Sequence, residues 1–131
     1  MATLHKEVFI RARHDDVWDA IRDVGAIHTR LVPGFVLDCQ LDGEWRTVTF
    51  ANGMVARELI VDIDDTTFRH SWSARSERLI HHNASVQVFK EDTNKCRVVW
   101  IADLKPDEAA QQVGPMIQHG LNTMKQTLEG N

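Results

Sequence analysis

The sequence WRTVTFANGMVARE, from Trp45 to Glu58, contains two runs in which apolar and polar residues alternate. Alternation with a period of two is typical of β-strands that have one buried face. The dipeptide Asn52-Gly53 between the runs is a strong signal for a hairpin turn. Pairing of the two strands can bring Arg46 opposite Glu58. The face on which this pair lies depends on the register, because a slip of one residue moves every side chain to the other face.

Further strand-like segments lie on both sides of this hairpin. The alternation predicts strands over residues 3–12, 35–41, 45–50, 54–62, 67–73, 84–90 and 96–103. Strands joined by short turns pair as antiparallel neighbours. We expect Phe68, His70 and Trp72 to share one face of their strand. The sequence thus predicts a curved antiparallel sheet of about seven strands.

Three segments have helical spacing. Two short helices are expected after the first strand, over residues 16–23 and 26–31, and a long one opens at Pro106-Asp107. Pro115 lies inside the long segment, where we expect it to kink the helix or delay its start. The apolar stripe of this helix consists of Val113, Ile117, Leu121, Met124 and Leu128. The order predicts an α+β fold, in which the long C-terminal helix lies along the concave side of the sheet beside an internal cavity.

Length and composition exclude several classes of protein. The 131 residues suffice for one domain with its own core. A net charge of −4 and the lack of a basic cluster argue against a nucleic-acid partner. No run approaches the roughly 20 apolar residues of a membrane span, and residues 1–12 lack the apolar core of a signal peptide. We expect a cytoplasmic protein, monomeric or homodimeric, in which Cys39 and Cys96 are reduced thiols, with a disulfide between them as the open alternative.

The histidines and hydroxyl residues form no recognised catalytic or metal-binding motif. The sequence has seven histidines, but His81 and His82 would point to opposite faces of a strand and the others are scattered. No nucleophile motif and no glycine-rich phosphate loop is present, so we predict neither a metal nor a cofactor. His70 lies on the apolar side of its strand and is the one histidine that we consider as an acid–base group or ligand contact.

Five short segments occur in an order that is specific for one fold. They are the helix VWDAIRDVGAIH with the following Pro33, the spacing of Arg46, Gly53 and Glu58, the strand FRHSW, the segment VVW, and GLNTMKQTL near the end. In this order, which covers about residues 3–129, the chain resembles the polyketide cyclase/dehydrase-like branch of the START-like (SRPBCC) superfamily. The resemblance implies a helix-grip fold, and it favours an inward orientation of Arg46 and Glu58 over a solvent-exposed ion pair.

The resemblance also implies three functions. The first is binding of a small, largely apolar ligand, lipid- or polyketide-like, whose polar groups Arg46, Glu58 and His70 would orient. The apolar walls of its cavity would be Phe50, Trp72, Trp100, Val113, Ile117, Leu121 and Met124. The second is a polyketide cyclase or dehydratase, in which Arg46, Glu58 or His70 moves protons. The third is a co-chaperone-like protein-interaction module. The sequence leaves open whether any reaction is catalysed.

Overall fold

The protein has a seven-stranded antiparallel sheet and three α-helices in residues 2–130, the part of the chain that the computed structural model describes. The strands are β1 Ala2–Ile10, β2 Val36–Asp42, β3 Trp45–Phe50, β4 Val55–Asp64, β5 Arg69–Arg75, β6 His81–Asp92 and β7 Lys95–Lys105. The helices are α1 His14–Arg22, α2 Ile27–Arg30 and α3 Ala110–Glu129, the last preceded by a 3-10 turn at Asp107–Ala109. The strand order is β1-β7-β6-β5-β4-β3-β2. This architecture confirms the predicted α+β, helix-grip fold.

The C-terminal helix α3 covers the concave face of the sheet. It packs mainly against β1, and its buried residues recur at spacings of three and four. The helix begins at Ala110 and continues through Pro115, so the proline does not delay its start. A Cβ atom at Gly120 would lie 3.1 Å from Cζ3 of Trp100, which is closer than side chains normally approach. Glycine at this position therefore lets α3 approach the sheet closely.

In the hairpin between β3 and β4, Phe50 and Met54 are hydrogen-bonded to each other and close a loop of three residues, 51–53. The Phe50 N–H donates to the Met54 carbonyl, and the Gly53 N–H donates to the Phe50 carbonyl. Gly53 has a φ of +88°, as expected for a type I turn followed by a left-handed residue. This loop sets a register in which Arg46 lies directly opposite Glu58. A two-residue loop at Asn52-Gly53 would shift the pairing by one residue and separate them.

A substitution at Gly53 tests this turn. Because its φ of +88° is costly for a residue with a branched Cβ, we expect Gly53→Val to lower the free energy of unfolding by about 1–2 kcal/mol. Asparagine tolerates the left-handed region, so Gly53→Asn should lose less than half as much. Urea denaturation of the two variants measures the difference. Equal losses would show that the backbone conformation of Gly53 is not what the turn requires.

The predicted starts of β5 and β6 are wrong by two and three residues. β5 begins at Arg69 instead of residue 67, and Phe68 lies outside it with a φ of +56°. The carboxylate of Asp64 accepts hydrogen bonds from the N–H groups of Thr66 and Thr67, which delays the strand. Phe68 therefore does not share a strand face with His70 and Trp72. Its ring stacks on Trp18 at 5.4 Å.

Candidate ligand-binding cavity

A cavity of about 160 Å³ lies between the concave face of the sheet and α3. Nine of the ten residues that the sequence placed in such a cavity line it: Arg46, Phe50, Glu58, His70, Trp72, Trp100, Val113, Ile117 and Met124. The tenth, Leu121, is fully buried in the core and is not among the lining residues, so its placement in the cavity wall is corrected. Of the five residues of the apolar stripe, Val113, Ile117 and Met124 thus line the cavity, whereas Leu121 belongs to the core and Leu128 packs against it.

Arg46 and Glu58 form a buried ion pair on the cavity side of the sheet. Nε of Arg46 donates to Oε1 of Glu58 at 2.8 Å, and the two side chains are only 5% and 9% exposed. Nη1 of Arg46 also donates to the Val24 carbonyl, at 3.0 Å, just after α1. Buried charges are tolerated when they are paired and hydrogen-bonded in this way. The charge of each residue is thus compensated within the protein.

Trp72 connects the aromatic and charged residues of the cavity. The His70 ring stacks on it with a centroid distance of 5.0 Å, because residues two apart on a strand share a face. The Trp100 ring meets it edge-on at 5.5 Å, and the guanidinium carbon of Arg46 lies 5.7 Å from its centroid. Val86 of β6 pairs with both His70 and Trp100, which places these two residues in one row across the sheet.

Two buried nitrogen atoms of this group lack protein partners. Within residues 2–130, neither Nε2 of His70 nor Nε1 of Trp100 finds a hydrogen-bond partner. Burial, together with the positive charges of Arg46 and Arg69, lowers the pKa of His70 to about 3, so its ring is neutral at pH 7. An unpaired buried polar group costs about 1–3 kcal/mol, which a bound molecule could recover by supplying the missing partner.

His82 is a cavity residue that the sequence prediction missed. The Ala74 N–H donates to Nδ1 of His82 at 3.0 Å, so the neutral ring carries its proton on Nε2. Burial, with smaller contributions from His81 and Arg75, lowers the pKa of His82 to about 4. Its signal in the sequence was the alternation with Ala84. That signal was lost because the strand was predicted to begin at residue 84, whereas β6 begins at His81.

The cavity is lined by two exposed residues, Arg78 and Gln112, where the β5–β6 connection faces the start of α3, and this region is called the mouth below. Arg78 and Leu79 line it from the β5–β6 connection, and Gln112 and Met116 line it from α3. Nη1 of Arg78 donates to Oε1 of Gln112 at 3.3 Å, and both residues are exposed. The sequence predicted no helix or strand between the strands at residues 67–73 and 84–90, because an irregular segment carries no periodic signal.

The other two tryptophans lie away from the cavity. Nε1 of Trp18 donates to the Asp65 carboxylate at 2.9 Å, which fixes α1 against the β4–β5 turn. Trp45 lies on the outer face of the sheet, where the guanidinium carbon of Arg57 is 4.2 Å from its ring centroid. These two residues therefore serve packing outside the cavity.

The cysteines are unpaired. Cys39 and Cys96 are both free and buried, so the structure contains no disulfide between them. Burial raises the pKa of the Cys96 thiol to about 11, which leaves it protonated at neutral pH. The pKa of the Cys39 thiol is also raised, with burial as the main cause. Its S–H group donates to the Val24 carbonyl at 3.5 Å. Neither thiol is activated as a nucleophile.

Two other types of feature are absent from residues 2–130. This part of the chain contains no group of three or more His, Cys, Asp or Glu residues that could hold a metal ion. It also contains no helix that is both long enough and apolar enough to cross a membrane.

Comparison with known proteins identifies the family. Residues 1–129 match the family described as polyketide cyclase / dehydrase and lipid transport. The chain belongs to this family. The match covers the whole sheet and all three helices, in agreement with the resemblance seen in the sequence. A comparison with curated protein sequences finds no match.

Solved structures similar to this family member share its fold. A protein from Thermobifida fusca has 27% sequence identity and a TM-score of 0.79, over 96% of this chain and 92% of its own. A START superfamily protein from Mycobacterium smegmatis has 8% identity and a TM-score of 0.82, over 97% of each chain. The di-domain ARO/CYC protein BexL has 14% identity and a TM-score of 0.84, over 98% of this chain and 47% of its own. At identities of 8% and 14%, the latter two likenesses concern the fold alone.

Proposed function

We propose that the protein binds a small, largely apolar molecule in the cavity between the sheet and α3. The observation that carries this proposal is an unfilled cavity of about 160 Å³, with apolar and aromatic walls and two nearby nitrogens that lack partners. Small-molecule sites typically combine apolar walls with a few fixed polar groups. The family description, which includes lipid transport, supports the same function.

The size of the cavity limits what it holds in this conformation. An engineered apolar cavity of about 150 Å³ in another protein binds benzene, so the space here suits a molecule of about one ring. A lipid- or polyketide-like ligand is larger and requires the mouth to widen. The exposed hydrogen bond between Arg78 and Gln112 would have to break, at a cost of about 0.5–1.5 kcal/mol.

The second candidate is a cyclase- or dehydratase-type enzyme. The observation in its favour is that His70 and His82, both neutral at pH 7, line the same cavity. However, pKa values of about 3 and 4 make them weak bases, since an efficient general base has a pKa near the operating pH. Glu58 is engaged by Arg46. Ligand binding is therefore the first proposal. If the protein converted a poly-β-ketone, and replacement of His70 or Glu58 abolished this turnover, the enzyme would become the first proposal.

Filling the cavity should abolish binding. Ala56 lines the cavity on β4, and its neighbour Val55 points to the opposite face and is 55% exposed. We expect Ala56→Phe to weaken the binding of ethylbenzene, a one-ring apolar probe, at least about tenfold, because the added ring occupies the space. Val55→Phe adds a ring to the same strand and should leave binding unchanged. Ligand-observed NMR titration measures both affinities.

The outcome is informative even if the larger substitution disturbs folding. Circular dichroism would verify that each variant is folded, and Ala56→Leu provides a smaller filling substitution at the same position. Undiminished binding of ethylbenzene to a folded Ala56→Phe variant would show that the probe binds elsewhere. The proposed function would then be wrong.

A further inference from the structure

The polar groups of the cavity restrict the chemistry of its ligand further. We propose that the ligand carries an uncharged hydrogen-bonding oxygen, a carbonyl or hydroxyl group, and that the cavity selects against both carboxylates and ammonium groups. This inference rests on the proposed function and specifies the ligand class of the same cavity. Three features of the described residues support it: compensated charge, neutral hydrogen-bonding nitrogens, and the position of the nearest free cation.

The buried charges of the cavity cancel. Arg46 and Glu58 are bonded to each other at 2.8 Å, and Arg46 is further bonded to the Val24 carbonyl. A carboxylate that entered the cavity would lie close to Glu58 and would have to share Arg46 with it, which would leave one negative charge uncompensated. An ammonium group would lie close to Arg46 and would have to share Glu58 with it. A buried ion without its own counter-ion is strongly disfavoured, so either charge would have to disrupt the existing pair.

The remaining polar atoms are neutral and suit an oxygen atom. Nε1 of Trp100 is only a donor, and Nε2 of His70 donates or accepts according to its tautomer. Both residues line the cavity, and their rings contact Trp72 at 5.5 and 5.0 Å, so a small molecule beside Trp72 lies next to both rings. A carbonyl oxygen accepts from the indole N–H, and a hydroxyl group can in addition donate to the imidazole.

Arg78 is a cation that lines the mouth, but it does not alter the preference for uncharged ligands. Its side chain is exposed and bonded to Gln112, so water and salt screen its charge. An anion attracted to Arg78 would stay at the surface. It would gain little from the apolar walls.

Four probes built on one ring test the proposal: acetophenone, ethylbenzene, benzoate and benzylammonium. At pH 7, we expect acetophenone to bind about 3–10-fold more tightly than ethylbenzene, the effect of one additional hydrogen bond. Benzoate and benzylammonium should bind at least about tenfold more weakly than acetophenone. In Trp100→Phe, the ratio of acetophenone to ethylbenzene affinity should fall toward one, because the indole donor is gone. Trp45→Phe, on the outer face, should leave the ratio unchanged.

The possible failures are distinguishable. If benzoate or benzylammonium binds as tightly as acetophenone, the proposed selectivity is wrong, although the cavity still binds ligands. Repeating the benzoate titration with Arg78→Gln then shows whether Arg78 or an interior group holds the anion, and either result overturns the inference. If neither ethylbenzene nor acetophenone binds to the wild-type protein, the proposed function itself is contradicted.

Discussion

Replacement of Arg46 by methionine is expected to lower the free energy of unfolding by about 3–5 kcal/mol. The reason is that Glu58, whose side chain is 9% exposed, would keep its charge without the partner that now lies 2.8 Å away. The Val24 carbonyl would lose one donor as well. Urea denaturation at pH 7, followed by far-ultraviolet circular dichroism, measures the loss.

Two further variants make this prediction specific. Arg13→Met removes an exposed pair with Asp15, in which the side chains are 53% and 47% exposed, and should leave the free energy of unfolding nearly unchanged. The double variant Arg46→Met/Glu58→Leu leaves no unpaired charge and should recover most of the stability. A loss below about 1 kcal/mol in Arg46→Met would contradict the buried placement of the pair.

Lowering the pH from 7 to 5 is expected to destabilise the protein by about 2 kcal/mol for each of two buried histidines, His70 and His82. Burial lowers their pKa values in the folded state from 6.5 to about 3 and about 4. Below pH 6.5 the unfolded chain therefore binds protons that the folded protein does not bind. Stability falls with decreasing pH until the folded-state pKa values are reached, and it is unaffected by these groups above pH 7.

Variants assign this pH dependence to the cavity. His70→Leu should remove about 2 kcal/mol of the difference in unfolding free energy between pH 7 and pH 5. His81→Gln changes the exposed neighbour of His82 and should preserve the dependence. Urea denaturation at both pH values gives the numbers. An unchanged pH dependence in His70→Leu would mean that His70 is accessible to protons in the folded protein.

Most of the fold could be predicted because its signals are local. The alternation in residues 45–50 and the glycine of the Asn52-Gly53 turn correctly predicted the β3–β4 hairpin. The turn length was not predictable, because Asn-Gly also suits a two-residue loop, and only the tertiary structure selects the three-residue loop that pairs Arg46 with Glu58. The start of β5 was missed for a similar reason, since the turn at Asp64 depends on side-chain hydrogen bonds.

The candidate site was predictable only where periodicity determines orientation. His70 and Trp72 lie two residues apart on one strand, and their spacing places both on the same face. Ile117 and Met124 lie on one stripe of a helix for the same reason. Spacing does not reveal how deeply a side chain is buried. Leu121 lies on the same stripe but is fully buried in the core. The residues of the mouth lie in or beside an irregular connection. Their approach to α3 is determined by long-range packing alone.

Binding of a small uncharged molecule in the cavity beside Trp72 and Trp100 can be followed through the indole N–H resonances of the four tryptophans. A ¹⁵N-edited NMR titration with acetophenone, assigned with Trp100→Phe and Trp45→Phe, reports on each ring separately. We predict a saturable shift of the Trp100 indole resonance, with the Trp45 resonance unchanged. A shift confined to Trp45, or no saturable shift of any tryptophan, would contradict it.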